Sequence, residues 1–130
     1  MSEAIDPSHS SASDERLRAI LNELHEESKD VQVSMVVTRD GLTMVVVGGV
    51  IDPDKVGAMC CDLLSLCHSA ALELQRGAVE HVLMKASHGY MLLTPAGDQT
   101  MLAVMARPDA NIGMLLIDTR RAAGAIPAAL

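Results

Sequence analysis

The chain contains no phenylalanine and no tryptophan, and its one tyrosine is Tyr90. A core without large rings must be aliphatic, and 49% of the 130 residues are apolar. Nine methionines take over the gap-filling role, because an unbranched thioether adapts to irregular spaces. Most of them are expected in the core and some at an interface. Basic residues are also scarce: 10 Lys and Arg against 17 Asp and Glu leave a net charge of −7. Phosphate backbones need a basic surface, so nucleic acid is excluded as a partner. Anionic membranes are excluded as an adsorbing surface for the same reason. The longest apolar run, Leu42 to Ile51, is half the roughly twenty residues of a membrane span. The first residues lack the basic-then-apolar pattern of a signal peptide. The three cysteines lie in one helical stretch and make no disulfide framework. The expectation is a one-domain cytoplasmic protein with no membrane insertion.

Catalytic signatures are missing too. Gly48-Gly49 is followed by Val50, Ile51 and Asp52, which is no phosphate-binding loop. There is no Gly-x-Ser-x-Gly elbow. His9, His25, His68, His81 and His88 are scattered over different segments without metal-pair spacing. Cys60, Cys61, Cys67 and His68 are tempting as zinc ligands. On one helix, however, Cys60 and Cys67 are two turns, about 10 Å, apart, as are Cys61 and His68, so no three converge on an ion. Asp109-x-Asn111-x-Gly113 resembles the start of a calcium loop, but Met114 and Arg120 occupy the positions that need glycine and an acid. Arg39 reads as a solvated turn arginine rather than a finger toward a nucleotide. No catalytic residue, cofactor or metal is therefore assigned, and the protein is expected not to be an enzyme.

What is present is a clear alternation of elements. Residues 1–12 are polar and Ser-rich and read as a disordered tail. The folded domain is set at 13–127, with 128–130 as its C-terminal end. Ser13 is a plausible cap for a first helix over about 14–28, with Leu17, Ile20, Leu21 and Leu24 on its apolar face. "VQVSMVVT" alternates Val31, Val33, Met35 and Val37 inward against Gln32, Ser34 and Thr38. Asp40-Gly41 joins it to "LTMVVVGG" as a hairpin with a type I′ turn, since that turn needs positive φ at both central positions. Pro53 opens a long helix over about 53–76, with Gly77 as its stop. Strands "AVEHVLMKA" (78–86), "YMLLT" and "TMLAVMA" follow, with a turn over Pro95–Gln99. A last helix is capped by Asp109 or Asn111, loses regularity at Gly124 and ends by Pro127. Gly113, costly inside a helix, implies a close helix–sheet approach. The order αββαβββα with short connections implies an α+β fold and an antiparallel sheet.

The long helix is apolar on too many sides. Val56, Cys60, Leu63, Cys67, Ala70 and Leu74 form one line with coiled-coil spacing. Met59 and Leu66 widen it on one flank, Leu64 and Ala71 on the other. A helix lying on a sheet needs one stripe, so this one is expected to meet a second surface, most simply its counterpart in a second subunit.

"VVTRDGLTM", "VGAM", "ALELQRG" and "LAVMARPDANIGMLL", in this order over about 14–126, resemble the roadblock family of dynein-light-chain-related domains, nearest its free-standing bacterial members. Asp40, Gly41, Asp109, Asn111 and Gly113 carry the most specific part of the likeness. The resemblance implies a five-stranded antiparallel sheet, the long helix on one face and the first and last helices on the other, as in a roadblock/profilin-like sandwich. It also implies dimerisation through the long helix and third strand, with Val56, Met59, Cys60, Leu63, Leu66, Cys67, Ala70, Val79, His81 and Leu83 at the interface. The implied function is non-enzymatic regulation of a small Ras-like GTPase; the alternatives are a small-ligand sensor or a scaffold subunit of a signalling or motor complex.

Overall fold

The computed structural model describes residues 7–130, with side chains from residue 12 onward. Residues 1–6, half of the expected tail, lie outside the described residues. The elements are α1 (Pro7–Glu27), β1 (Val31–Thr38), β2 (Thr43–Val47), α2 (Pro53–Glu73), β3 (Val82–Ala86), β4 (Gly89–Ala96), β5 (Thr100–Ala106) and α3 (Ile112–Ala125), followed by a 3₁₀ turn, Pro127–Ala129. The five strands form one antiparallel sheet in the order β2-β1-β5-β4-β3. This is the αββαβββα α+β fold that the pattern of elements implied.

Both faces of the sheet are covered. On one, α1 and α3 bury Leu17, Leu21, Leu24, Leu115 and Ile126 against Val36, Leu92 and Leu102. On the other, α2 sets Cys60 and Leu64 over Met35, Val37, Leu93, Met101 and Ala103. The two-sided covering corrects the simple alternation expected for β1. Ser34, expected outward, is fully buried beneath α1, where its hydroxyl lies 2.9 Å from His25 Nε2. Val31 belongs to the α1 face and Val33 to the α2 face, because the β1–β5 register shifts between them. An inserted residue in a ladder reverses which way the following side chains point.

Several boundaries differ from the local expectation, each for a tertiary reason. α1 begins at Pro7, so Ser13 lies inside the helix and is not its cap. The Ser13 hydroxyl and Arg16 Nε both donate to the Ala129 carbonyl, at 3.3 and 3.2 Å. The C-terminal turn thus grips α1, and Pro127 starts that turn after an uninterrupted α3 in which Gly124 causes no break. The first hairpin is not type I′. Gly41 has φ +92°, but Asp40 does not have positive φ. Gly41 N–H donates to Thr38 O (3.0 Å) and Thr38 N–H to Leu42 O (2.8 Å), the pattern of a three-residue loop with glycine at its left-handed position. The Thr38 side chain selects it, donating to the Asp40 carboxylate (2.7 Å) and accepting from Leu42 N–H (3.0 Å). α2 ends at Glu73 rather than at Gly77. Gln75 takes the left-handed position (φ 57°), and Arg76 and Gln75 N–H close back onto Ala71 and Leu72 carbonyls. β3 starts at Val82, so Ala78–His81 are connection, not strand. Pro95 is inside β4 rather than in the turn; β3 begins opposite Leu93 and does not reach Pro95, so β4 has an open side there, where a proline is tolerated.

The expected close approach at Gly113 is absent: an added Cβ there would meet only Asn111 Oδ1 at 3.6 Å. On α2, the tight spot is Gly57. A Cβ at Gly57 would collide with Thr43 Oγ1 and touch the Gly41 carbonyl at 3.5 Å, while a Cβ at Gly41 would make ordinary contact with Ala58 Cα at 3.4 Å. α2 therefore sits directly on the hairpin, glycine facing glycine.

Stability measured by chemical denaturation should separate the two glycines. Gly57→Ala should lower it by about 1–3 kcal/mol through overpacking, whereas Gly113→Ala should raise it by about 0.5 kcal/mol through helix propensity. A second outcome concerns His25, whose pKa burial holds below the ordinary 6.5. The unfolded chain then binds the proton first, so this contribution is complete above pH 6.5 and is lost on acidification below it. His25→Gln should show a shallower loss of stability between pH 7 and 5 than the parent.

Candidate interaction surface

The chemistry-bearing side chains do not gather. Cys60 is 2% exposed, with its Sγ 3.9 Å from Met91 Sδ in the core. Burial and the neighbouring Cys61 push its thiol pKa up, away from reactivity. Cys61 Sγ points elsewhere and donates to the Arg39 carbonyl at 2.7 Å. Among the described residues no group of three or more His, Cys, Asp or Glu side chains is placed to hold a metal ion.

What the structure does present is an apolar surface. α2 is long and apolar enough by length and composition to cross a bilayer, yet it lies along the sheet with most of that surface uncovered. Met59 is 60% and Leu66 68% exposed. Val56, Leu63 and Cys67 are half-buried between them and the sheet, and Ala70 is exposed. Val56 and Leu63 share one cluster with Val79 and Val82, so the flank of α2 is continuous with the entry to β3. β3 pairs only with β4, and its other edge is unpaired among the described residues. Leu83 and Met84, on its two faces, are 39% and 44% exposed. A contiguous apolar surface beside an open strand edge is what a soluble protein normally covers.

Of the residues expected at an interface, Met59, Leu63, Leu66, Cys67, Ala70 and Val56 thus lie on one flank of α2, and Leu83 lies on β3. Val79 and His81 sit in the connection before β3, half-buried and exposed respectively. Cys60 is a correction: it faces the sheet of its own subunit and cannot reach a partner. Met84, not among the expected residues, is exposed on the face of β3 opposite Leu83. Leu74, 65% exposed, extends the bare surface just past the end of α2.

The signature residues have structural roles. Asp40 accepts from the Thr38 hydroxyl, which holds its carboxyl below the ordinary carboxylate range. Asp109 does not cap α3 but forms a two-point ion pair with Arg107, at 3.2 and 3.1 Å. Asn111 is the cap, accepting from Met114 N–H at 3.1 Å. Asp30 takes Asn111 N–H on its carboxylate and Arg107 N–H on its carbonyl, tying the β5–α3 corner to the α1–β1 turn.

Comparison with known proteins agrees with this architecture. Residues 19–106 match the family of the Roadblock/LC7 domain. Two uncharacterized proteins of Methanocaldococcus jannaschii are each 32% identical over 110 residues, covering 84% of this chain and 95% of their own length. Among solved structures, "MglB with tetrameric arrangement" superposes with a TM-score of 0.84 at 17% identity, covering 92% of this chain and 93% of that one. The gliding protein MglB from Thermus thermophilus gives 0.83 at 15% identity, over 91% and 90%. At such identities the structural likeness concerns the fold.

Proposed function

This chain belongs to the Roadblock/LC7 domain family, and from that premise we propose that it is a non-enzymatic homodimer that binds a small Ras-like GTPase and modulates its GTP hydrolysis or localisation. The observation that carries the proposal is the bare flank of α2 running into the open edge of β3. A second copy related by a two-fold axis would cover Met59, Leu63 and Leu66 with their own counterparts and add a strand at β3, extending the sheet across both subunits. Each large apolar side chain so buried contributes about 1.5–3 kcal/mol, and two copies contribute twice. The likeness to an MglB with a tetrameric arrangement supports self-association, and the GTPase partner is what the family resemblance implies.

In this reading the protein supplies surface rather than chemistry. Its contribution to hydrolysis is to hold the GTPase in a competent conformation, which requires tighter binding to the GTP form than to the GDP form. The cytoplasm is the proposed site of action.

Sedimentation equilibrium should give about twice 13.8 kDa, and a clean monomer at micromolar concentration would sink the dimer. Met59→Glu and Leu63→Glu should both yield folded monomers by circular dichroism, because an unpaired charge in the seam costs several kcal/mol. Met59, being the more exposed, separates loss of the dimer from loss of the fold. With a GTPase encoded beside its gene, the wild-type dimer should bind the GTP-loaded form and change its hydrolysis rate. Binding without a rate change would make the protein a scaffold; binding to neither nucleotide state would refute the partner.

A further inference from the structure

The side of α2 opposite Met59 and Leu66 holds a small cavity. It lies where α2 crosses the ends of two turns. Cys61, Leu64, Ser65 and His68 line it from α2, Arg39 from the β1–β2 loop, and Pro95, Thr100 and Met101 from β4 and β5. Its volume is about 40 Å³, more than the roughly 10–15 Å³ that admits one water. It continues into a wider cleft bounded by the same Arg39, Ser65 and His68 together with Leu72, Gly77 and Ala78.

Three facts mark it as a polar site rather than a packing defect. His68 Nε2 is buried and, among the described residues, has no hydrogen-bond partner. A buried ring nitrogen left this way is costly unless something pairs with it. Second, two of the other polar groups are engaged elsewhere: Thr100 donates its hydroxyl to Ala96 O (2.7 Å), and Cys61 Sγ donates to Arg39 O. None of these satisfies His68. Third, the base of Arg39 is held at both ends. Its N–H donates to Gln99 O (2.9 Å) and its carbonyl accepts from Cys61, while its guanidinium makes no hydrogen bond or ion pair among the described residues. Asp40, the adjacent acid, is engaged with Thr38. Arg39 and the unpartnered His68 Nε2 thus line one cavity, and a guanidinium carries a planar fork of donors that matches an oxyanion.

Charge and wall chemistry select the class. Arg39 supplies one positive charge, and Leu64, Met101, Pro95 and Leu72 supply apolar walls. A phosphate dianion would leave a negative charge uncompensated in this setting, on a chain already at −7. A monocarboxylate is balanced and planar, matching the guanidinium fork. We propose that the cavity between Arg39 and His68 binds the carboxylate of a small aliphatic monocarboxylate of about two to four carbons, with its tail in the Leu72 cleft. Arg39 and His68 Nε2 donate to its oxygens, and Ser65 lies within the same wall to donate a third hydrogen bond. The inference is independent of the dimer and of the GTPase.

The test is a titration of the full chain with sodium propionate, followed by NMR at the Arg39 and His68 side-chain nitrogens, against sodium chloride of equal ionic strength. Saturable shifts at both nitrogens are expected, with Kd about 1 mM for so small a ligand. Arg39→Gln should weaken binding about tenfold or more with the fold intact by circular dichroism, since its side chain makes no structural bond. His68→Gln, which retains an N–H donor, should keep most of the affinity, and His68→Leu should lose about tenfold. Shifts that merely track chloride, or an Arg39→Gln variant that binds propionate unchanged, would overturn the site. Tighter saturation by inorganic phosphate would overturn the monocarboxylate class. Saturation by an aspartate-containing peptide but by no free carboxylate would assign the cavity to a protein partner and overturn it as a small-molecule site.

Discussion

The contact on which the architecture turns is the seating of α2 on the first hairpin. Gly57 brings the helix so close to the Thr43 hydroxyl that no Cβ fits without moving it, and the hairpin tip at Gly41 packs against Ala58. Thr43 completes the joint by donating its hydroxyl to the Pro53 carbonyl at the start of the helix (3.1 Å). Two short stretches, "RDG" and "VGAM", are therefore halves of one contact. Their glycines are needed for different reasons: Gly41 for its positive φ, Gly57 for the approach.

Seating the N-terminal half of α2 this tightly determines what the rest of the helix shows to solvent. Cys60 and Leu64 are pressed onto the sheet, so the side chains further round the helix on either flank have nothing beneath them. On one flank this leaves Met59 and Leu66 bare beside the unpaired edge of β3. On the other it leaves the space between His68 and Arg39, closed at one end by the β4–β5 strands. The same helix thus carries a surface suited to a second copy and, on its far side, a small polar cavity. The opposite face of the sheet is a closed core, where α1, α3 and the C-terminal turn satisfy one another, down to the two side chains that grip the Ala129 carbonyl.

Much of the fold was legible because its signals are local or strictly periodic. β5 ran where its apolar stretch after the turn put it, α2 opened at Pro53, and the excess apolar surface of α2 was countable before any partner face was known. The misplacements share another cause. Ser13 has the side chain of a cap, but the C-terminal turn, more than a hundred residues away, recruits it into the helix. Asp40-Gly41 has the composition of a type I′ turn, but Thr38 bridges the loop and adds a residue to it. Ser34 is polar and was placed outward, yet a second layer of helices puts it opposite His25. Cys60 lies on the seam line of α2, but which side of that line meets the sheet depends on where Gly57 lets the helix rest. Arg39 and His68 are 29 residues apart in the sequence, and no spacing rule links a hairpin tip to a position well inside a later helix.

The amino-acid sequence by itself therefore determined the class of the protein: an aliphatic α+β domain, acidic, without catalytic or metal-binding spacing, built around a helix too apolar for one sheet. Periodicity, turn chemistry and composition act over a few residues and are readable along the chain. The tertiary structure alone decided which flank of that helix stays bare, which glycine is the contact and which is dispensable, and which polar atoms are left without partners. Those are properties of surfaces brought together from distant segments, and a difference of one helical step in how α2 sits changes all of them.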